Sequence, residues 1–255
     1  DIKHSLTLEL IKKFYRFADV LIANSQGVAD DIIALTSVDP SRVRVIYNPK
    51  PLEEIREQGS EPTGHAWLDD KDLPVAMGVG RLREQKNFPL LIRAFARIVK
   101  DVPAHLVIVG GGRDEQALRS LVSKLGMDDS VLFAGYQDNP FAYMTKADVY
   151  VLASLWEGMS NSLMEAMVCG LPVIASDCKS GPRELLAPKT DHTKRLEKGV
   201  EHAPFGILTA VDDETALVDA LRAMLTDTAL MKTYADASLE RAKDFDMPRI
   251  MDAYT

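Results

Sequence analysis

The sequence predicts an α/β fold in which a Rossmann-like parallel sheet carries helices on both faces. Short apolar, β-branched runs bounded by Gly, Pro, Asn or Asp recur along the chain, and amphipathic helical patterns separate them. The runs are continuously apolar rather than alternating, as expected of strands buried on both faces. Strand followed by helix, repeated, implies a parallel sheet wound by right-handed crossovers.

In order, the runs are Val20–Ala23, Val43–Ile46, Val75–Met77, Leu106–Val109, Val131–Phe133, Val149–Leu152 and Val173–Ala175. Between them, Leu90, Leu91, Ala94, Phe95 and Ile98 form one apolar helix face, and Leu118, Leu121, Val122 and Leu125 another. Near the start, Leu6 to Phe17 carries Lys12, Lys13 and Arg16 beside Leu10, Ile11, Phe14 and Phe17. That pattern suits an anionic membrane surface, but a helix packed on a sheet is the commoner outcome and the one expected. From Asn48 to Pro74 the periodicity fades into Pro49, Pro51, Gly59, Pro62, Gly64 and a charged stretch ending at Asp72, which reads as a linker. Residues 188–204 read as a polar surface loop, followed by a short strand at Gly206–Leu208. Beyond residue 212 the pattern is helical, with Asp212 or Asp213 as the opening cap.

Composition narrows the classes. A chain of 255 residues, 46% hydrophobic and 27% charged, can bury a full core, which excludes a disulfide miniprotein and a disordered tail. The net charge of -8 gives the chain as a whole no footprint for nucleic acid, so a polyanionic ligand must be held by local cations. Cys169 and Cys178 match neither a disulfide framework nor a zinc spacing and read as reduced, intracellular thiols. Asp1 opens the chain without Met or a signal-peptide pattern, and natural sequence is expected upstream.

In an open parallel sheet, ligands sit at the carboxyl ends of strands, where helix N-termini favour anions. One such end reads Gly78-Val-Gly80-Arg81-Leu-Arg-Glu-Gln-Lys86, with glycines that permit close approach and two cations before a helix, as a diphosphate clamp requires. It departs from the dinucleotide fingerprint, lacking the third glycine and the acidic ribose ligand. The Gly110–Gly112 run reads as a tight turn, and Gly135-Tyr136-Gln137 could offer backbone groups to a base. The most informative end places Glu157 before Gly158-Met159-Ser160-Asn161-Ser162, with Glu165 one turn into the following helix. A carboxylate beside a diphosphate is repelled, so both glutamates should face hydroxyls while cations and the helix end take phosphate.

These residues resemble a known family. GVGRLREQKNFPLLIRAF, LVIVGGG and EGMSNSLMEAMVCGLPVIAS, the last with glutamates eight positions apart, look like the C-terminal, donor-binding half of a retaining GT-B glycosyltransferase of family four. The resemblance divides the chain into a remnant of the N-terminal acceptor domain (1–48), a linker (49–73), the nucleotide-sugar domain (74–226) and C-terminal helices crossing back (227–255). It implies that Arg81 and Lys86 bind the donor diphosphate and stabilise the leaving group, that Glu165 holds the ribose, and that Glu157 holds the transferred sugar near its reacting carbon. Gly80 and Tyr136 would line the donor site. The amides of Met159 and Ser160 would reach sugar hydroxyls, and those of Asn161 and Ser162 the phosphates. Many members carry an aromatic residue and glycine where this chain has Met159 and Ser160, which leaves the donor sugar open.

The implied reaction is transfer from a nucleoside-diphosphate-sugar, a UDP-sugar ahead of a GDP-sugar, to a glycan or lipid-linked acceptor, with no cofactor and no metal. Preorganised donors of this kind typically supply roughly 2.7–4 kcal/mol each. The metal-dependent alternative needs an Asp-x-Asp at a strand end, whereas Asp70/Asp72 and Asp244/Asp246 fall in the linker and a terminal helix. A cytoplasmic location is expected, with peripheral contact to the inner face of a membrane as an option. A GT-B-type epimerase and a noncatalytic nucleotide-sugar binding module are the alternatives.

Overall fold

The computed structural model describes residues 2–254, with side chains from Thr7 onward; Asp1, Thr255 and the Leu6 side chain, which fall in segments assigned above, lie outside the described residues. The first elements are α1 (Ile2–Phe14), β1 (Leu21–Ala23), α2 (Gln26–Thr36) and β2 (Val43–Val45), and the two strands pair in parallel. Two helices follow, α3 (Leu52–Gly59) and α4 (Ala66–Asp69). Then β3 (Val75–Val79), α5 (Phe88–Ile98), β4 (His105–Val109), α6 (Glu115–Lys124), β5 (Val131–Gly135), α7 (Phe141–Met144), β6 (Val149–Leu152) and α8 (Asn161–Val168) alternate strictly. The chain continues through β7 (Val173–Ser176), α9 (Pro182–Leu186), β8 (Val200–Ala203) and β9 (Gly206–Thr209). It ends in α10 (Glu214–Thr226), α11 (Thr228–Ala242) and α12 (Met247–Met251).

The main sheet has the order β5-β4-β3-β6-β7-β9-β8, parallel throughout except for β8, which runs antiparallel to β9. Strand order reverses between β3 and β6, which opens a crevice at their carboxyl ends. The central strands β3, β4, β6, β7 and β9 are almost wholly buried, as their unbroken apolar runs require. One face is covered by α3, α7, α8 and α9, the other by α5, α6 and α10, and α11 reaches both, with Ala242 in the first layer and Tyr234 in the second. The apolar stripe of α5, including Leu91, Phe95 and Ile98, shows no exposed surface.

Three readings differ from the sequence expectation. Residues 49–73 are not an extended linker: Leu52, Ile55 and Leu68 are buried, and they anchor α3 and α4 to the sheet's covering layer. Within the polar segment 188–204, residues 200–203 form β8, because β9 offers an open edge that the segment can pair with. Lastly, α1 rests on α2 rather than on a sheet face, and Leu10, Phe14 and Phe17 are exposed. The two-stranded β1–β2 sheet is too narrow to cover them. Asp213 rather than Asp212 caps α10, accepting from the Ala216 amide, whereas Asp212 accepts from Asn87 Nδ2 at 3.0 Å. Among the described residues no helix is long and apolar enough to cross a membrane.

The N-terminal unit is tied to the main sheet by polar contacts. Ser25 caps α2, and the Glu184 carboxylate stands at the same helix end, accepting from the amides of Gln26 at 2.7 Å and Gly27 at 3.2 Å. Tyr47 donates to the same carboxylate, while Arg241 of α11 donates to the Glu184 carbonyl at 2.8 Å. Gly27 has no room for a side chain, since a Cβ would lie 2.3 Å from Ser180 Oγ.

Candidate functional site

The site lies at the reversal point. The turn after β3 and the turn after β4 cross closely: Gly80 donates to Val109 O and Leu82 to Gly111 O, each at 3.0 Å. Gly110 makes the crossing possible, with φ of +131° and a position where a Cβ would stand 2.0 Å from Gly80 O. The glycine run is therefore the tight turn expected, and Gly110 and Gly111 also line a cavity of about 390 Å³. Gly80, Arg81, Tyr136 and Glu165 line the same cavity, as do Gln137, Asp138 and Phe141. Four predicted site residues from two strand ends and a helix are thus brought together.

Lys86 and Glu157 meet beside this cavity, with Lys86 Nζ 2.6 Å from Glu157 Oε1 and both side chains largely buried. Ser154 donates to the same oxygen at 2.7 Å. The Lys86 stem lies against Gly80, its Cε 3.0 Å from where a Gly80 Cβ would be. The turn carrying Lys86 is fastened to the turn carrying Glu157, because Leu155 N donates to Gln85 O and Gln85 Nε2 to Trp156 O, both at 2.8 Å. Arg81 differs: it is exposed, and among the described residues it has no hydrogen-bond or ion-pair partner. It borders a second hollow of about 460 Å³ shared with Arg83, Arg113 and Trp156.

The turn after Glu157 delivers α8. Ser160 is its N-cap, accepting from Leu163 N, so the amides of Asn161 and Ser162 stand in the first turn, where a helix has no internal acceptors for them. Met159 and Ser160 are buried, and the Asn161 side chain accepts from Asn48 Nδ2 at 2.9 Å. Beneath the turn, the buried Tyr150 phenol donates to Ser162 Oγ at 2.8 Å, and burial pushes its titration far above the ordinary tyrosine range. Glu165, one turn on, is 2.7 Å from Lys50 Nζ. Burial, followed by the Glu165 charge, pushes the neighbouring Cys169 thiol up to about 12.

The predicted residues therefore fall in two adjoining groups. Lys50, Ser154 and Trp156 were missing from the sequence reading; Ser154 and Trp156 flank Glu157 closely enough to have been candidates, whereas Lys50 carries no local signal. The Asp-x-Asp candidates stand elsewhere: Asp72 faces His105 at the amino end of β4, and Asp244 pairs with Arg241 and Arg249.

Sequence comparison adds to this geometry. The profile of the family described as Glycosyl transferases group 1 matches residues 74–227, and that of Glycosyltransferase Family 4 matches residues 1–54. An uncharacterized glycosyltransferase of Methanocaldococcus jannaschii is 33% identical over 94% of this chain and 63% of its own length. A Campylobacter jejuni protein named N-acetylgalactosamine-N,N'-diacetylbacillosaminyl-diphospho-undecaprenol 4-alpha-N-acetylgalactosaminyltransferase is 36% identical over 94% of this chain and 60% of its own. The chain thus spans less than two thirds of the length of either relative. Among solved structures, Anabaena HepE in complex with UDP and glucose superposes with a TM-score of 0.83 at 23% identity, covering all of this chain and 67% of that one. A sucrose-phosphate synthase of Thermosynechococcus elongatus gives 0.78 at 24% identity over 98% of this chain and 60% of its own. At these identities the likeness is one of fold.

Proposed function

The chain belongs to the group 1 glycosyl transferases, and from that premise we propose that it binds a nucleoside-diphosphate-sugar, preferentially a UDP-sugar, and serves sugar transfer to a glycan or lipid-linked acceptor with retention of configuration. The observation that carries this reading is the pairing of an unneutralised Arg81 with a lysine-compensated Glu157 at the reversal point of the sheet. A diphosphate brought there meets Arg81, Lys86 and the open amides of α8, while the two glutamates remain for hydroxyl groups. The Campylobacter relative is named for transfer to a diphospho-undecaprenol glycan, and the HepE complex contains UDP; both are consistent with the donor and acceptor classes proposed.

In this reading the nucleoside occupies the cavity between Gly80, Tyr136 and Glu165, with the ribose diol donating to Glu165. As the bond from sugar to phosphate breaks, negative charge grows on the departing diphosphate. Arg81 is free to close on it, and Lys86 shares its charge between that oxygen and Glu157. Lys86 and the α8 amides are already oriented, so on their side little reorganisation accompanies the charge shift. Glu157, held by Lys86 and Ser154, presents its remaining oxygen to the sugar. Acceptor binding is assigned to sequence of the kind that the longer relatives carry, so this chain should bind donor and transfer poorly by itself.

Calorimetry with UDP, GDP, UDP-sugars and GDP-sugars on the 255-residue chain tests the reading. Saturable UDP-sugar binding with negligible transfer is expected; vigorous transfer to a lipid-linked acceptor by this chain would contradict the division of labour, and epimerised donor without acceptor would point to isomerisation instead.

A further inference from the structure

Lys50 is buried, 6% exposed, and belongs to the segment leading into α3 rather than to the main sheet. Removing a lysine from water is costly unless a carboxylate meets it, and here Glu165 Oε1 does so at 2.7 Å. No other acceptor of the Lys50 ammonium is found among the described residues, and Oε2 of Glu165 accepts nothing there. The Lys50 main chain is fixed as well. Its amide donates to Phe245 O at 2.8 Å, and its carbonyl accepts from Met247 N at 3.0 Å, so it ties the segment leading into α3 to the start of α12. The ammonium is thus delivered to Glu165 by a rigid crossing of two chain segments.

We propose that Lys50 is a positioning residue that makes Glu165 selective for a ribonucleoside diol. This rests on the proposed reading of Glu165 as the ribose carboxylate. By occupying Oε1, Lys50 fixes the carboxylate plane and leaves Oε2 to accept from the sugar hydroxyls. Its charge also offsets the repulsion that an uncompensated Glu165 would exert on the diphosphate a few bonds away. Discrimination between ribose and 2'-deoxyribose therefore depends on a residue that does not line the cavity.

The test compares UDP with 2'-deoxy-UDP by calorimetry on the wild type, Lys50→Met, Lys50→Arg and Glu165→Gln. The wild type is expected to favour UDP by about tenfold, the loss typical of a hydrogen bond to a charged group. In Lys50→Met the ratio should collapse towards one, and Lys50→Arg should restore most of it. A Lys50→Met chain that keeps the wild-type ratio overturns the proposal. A wild type that does not discriminate overturns the ribose reading of Glu165 instead, and is recognised by its occurring before any substitution. Because Lys50→Met leaves a carboxylate without its partner and could fail to fold, the double variant Lys50→Met/Glu165→Gln is measured as well. Its ratio should equal that of Glu165→Gln alone; a further change would mean that Lys50 acts on the ligand directly, against the proposal.

Discussion

Two sets of buried ion pairs sit at neighbouring strand ends, and they differ in saturation. After β7, Arg183 grips Asp177 through both Nε and Nη2, at 3.0 and 2.6 Å, and reaches Glu201 through Nη2 at 2.9 Å and Thr190 through Nη1 at 3.4 Å. Asp177 is fully buried and also accepts from Leu196 N at 2.7 Å. Burial works against the Arg183 charge, and its bonds to Asp177 and Glu201 outweigh that, holding it above the ordinary arginine range. After β6, by contrast, Glu157 and Glu165 each receive one lysine on one oxygen. A saturated network has nothing left to offer a ligand and acts as scaffold for the segment 188–204. The half-satisfied pairs retain capacity for hydroxyl groups, and that difference separates architecture from site within one sheet.

The largest expected effect breaks the saturated side. Arg183→Met leaves Asp177 buried and uncompensated and should cost about 3–5 kcal/mol of stability. Urea unfolding measures it, and a loss below about 1 kcal/mol would show that the network is not scaffold. On the site side, Arg81→Ala should weaken UDP binding by roughly tenfold to a hundredfold with little change in unfolding midpoint, since the side chain is exposed. Equal affinity in that variant removes Arg81 from the clamp. Glu157→Gln sharpens the contrast further: the advantage of UDP-sugar over UDP should shrink, while UDP alone should bind no more weakly because Lys86 is released. A fall in UDP affinity would place Glu157 in a different role.

The thiols give a smaller, pH-dependent effect. Burial first, then the charge of Glu165 at Cys169 and, against the opposing Ser176 bond, that of Glu157 at Cys178, push both thiols up to about 12. The unfolded chain releases these protons at ordinary thiol values, near 9, so between pH 9 and 12 the unfolded state binds fewer protons and stability should fall. Below that window the thiols contribute no pH dependence. Alkylation of native protein at pH 8 should be slow and accelerate on unfolding; fast native reaction would contradict the burial. The smallest effect belongs to the surface pair of His192 and Asp30, 2.7 Å apart, where His192→Gln should change stability by less than about 1 kcal/mol.

The strands and both glutamates were legible because each depends on neighbours in sequence: unbroken β-branched runs, a glycine turn, a Ser/Asn cap before a helix. Lys50 was not, since its partner lies 115 positions away and nothing local marks a lysine after Asn48-Pro49 as buried. The helices within 49–73 escaped for a related reason. Among the apolar side chains of that stretch Leu52, Ile55 and Leu68 are buried and Trp67 packs beside them, too few among charges, prolines and glycines for a periodic signal, and it is tertiary packing that makes them helical. The apolar face of α1 misled in the other direction, because amphipathicity shows that a face could be covered without showing by what.

Glu184 carries a practical consequence for chimeras. It lies inside the family match at 74–227, yet Gln26, Gly27, Tyr47 and Arg241, which its carboxylate and carbonyl engage, all lie outside it. A graft cut at 74 and 227 would transplant Glu184 without these four partners and leave its buried carboxylate only the Gly181 amide. The unit that can be exchanged between relatives is therefore larger than the 74–227 match alone, and it takes in the start of α2 and the end of α11.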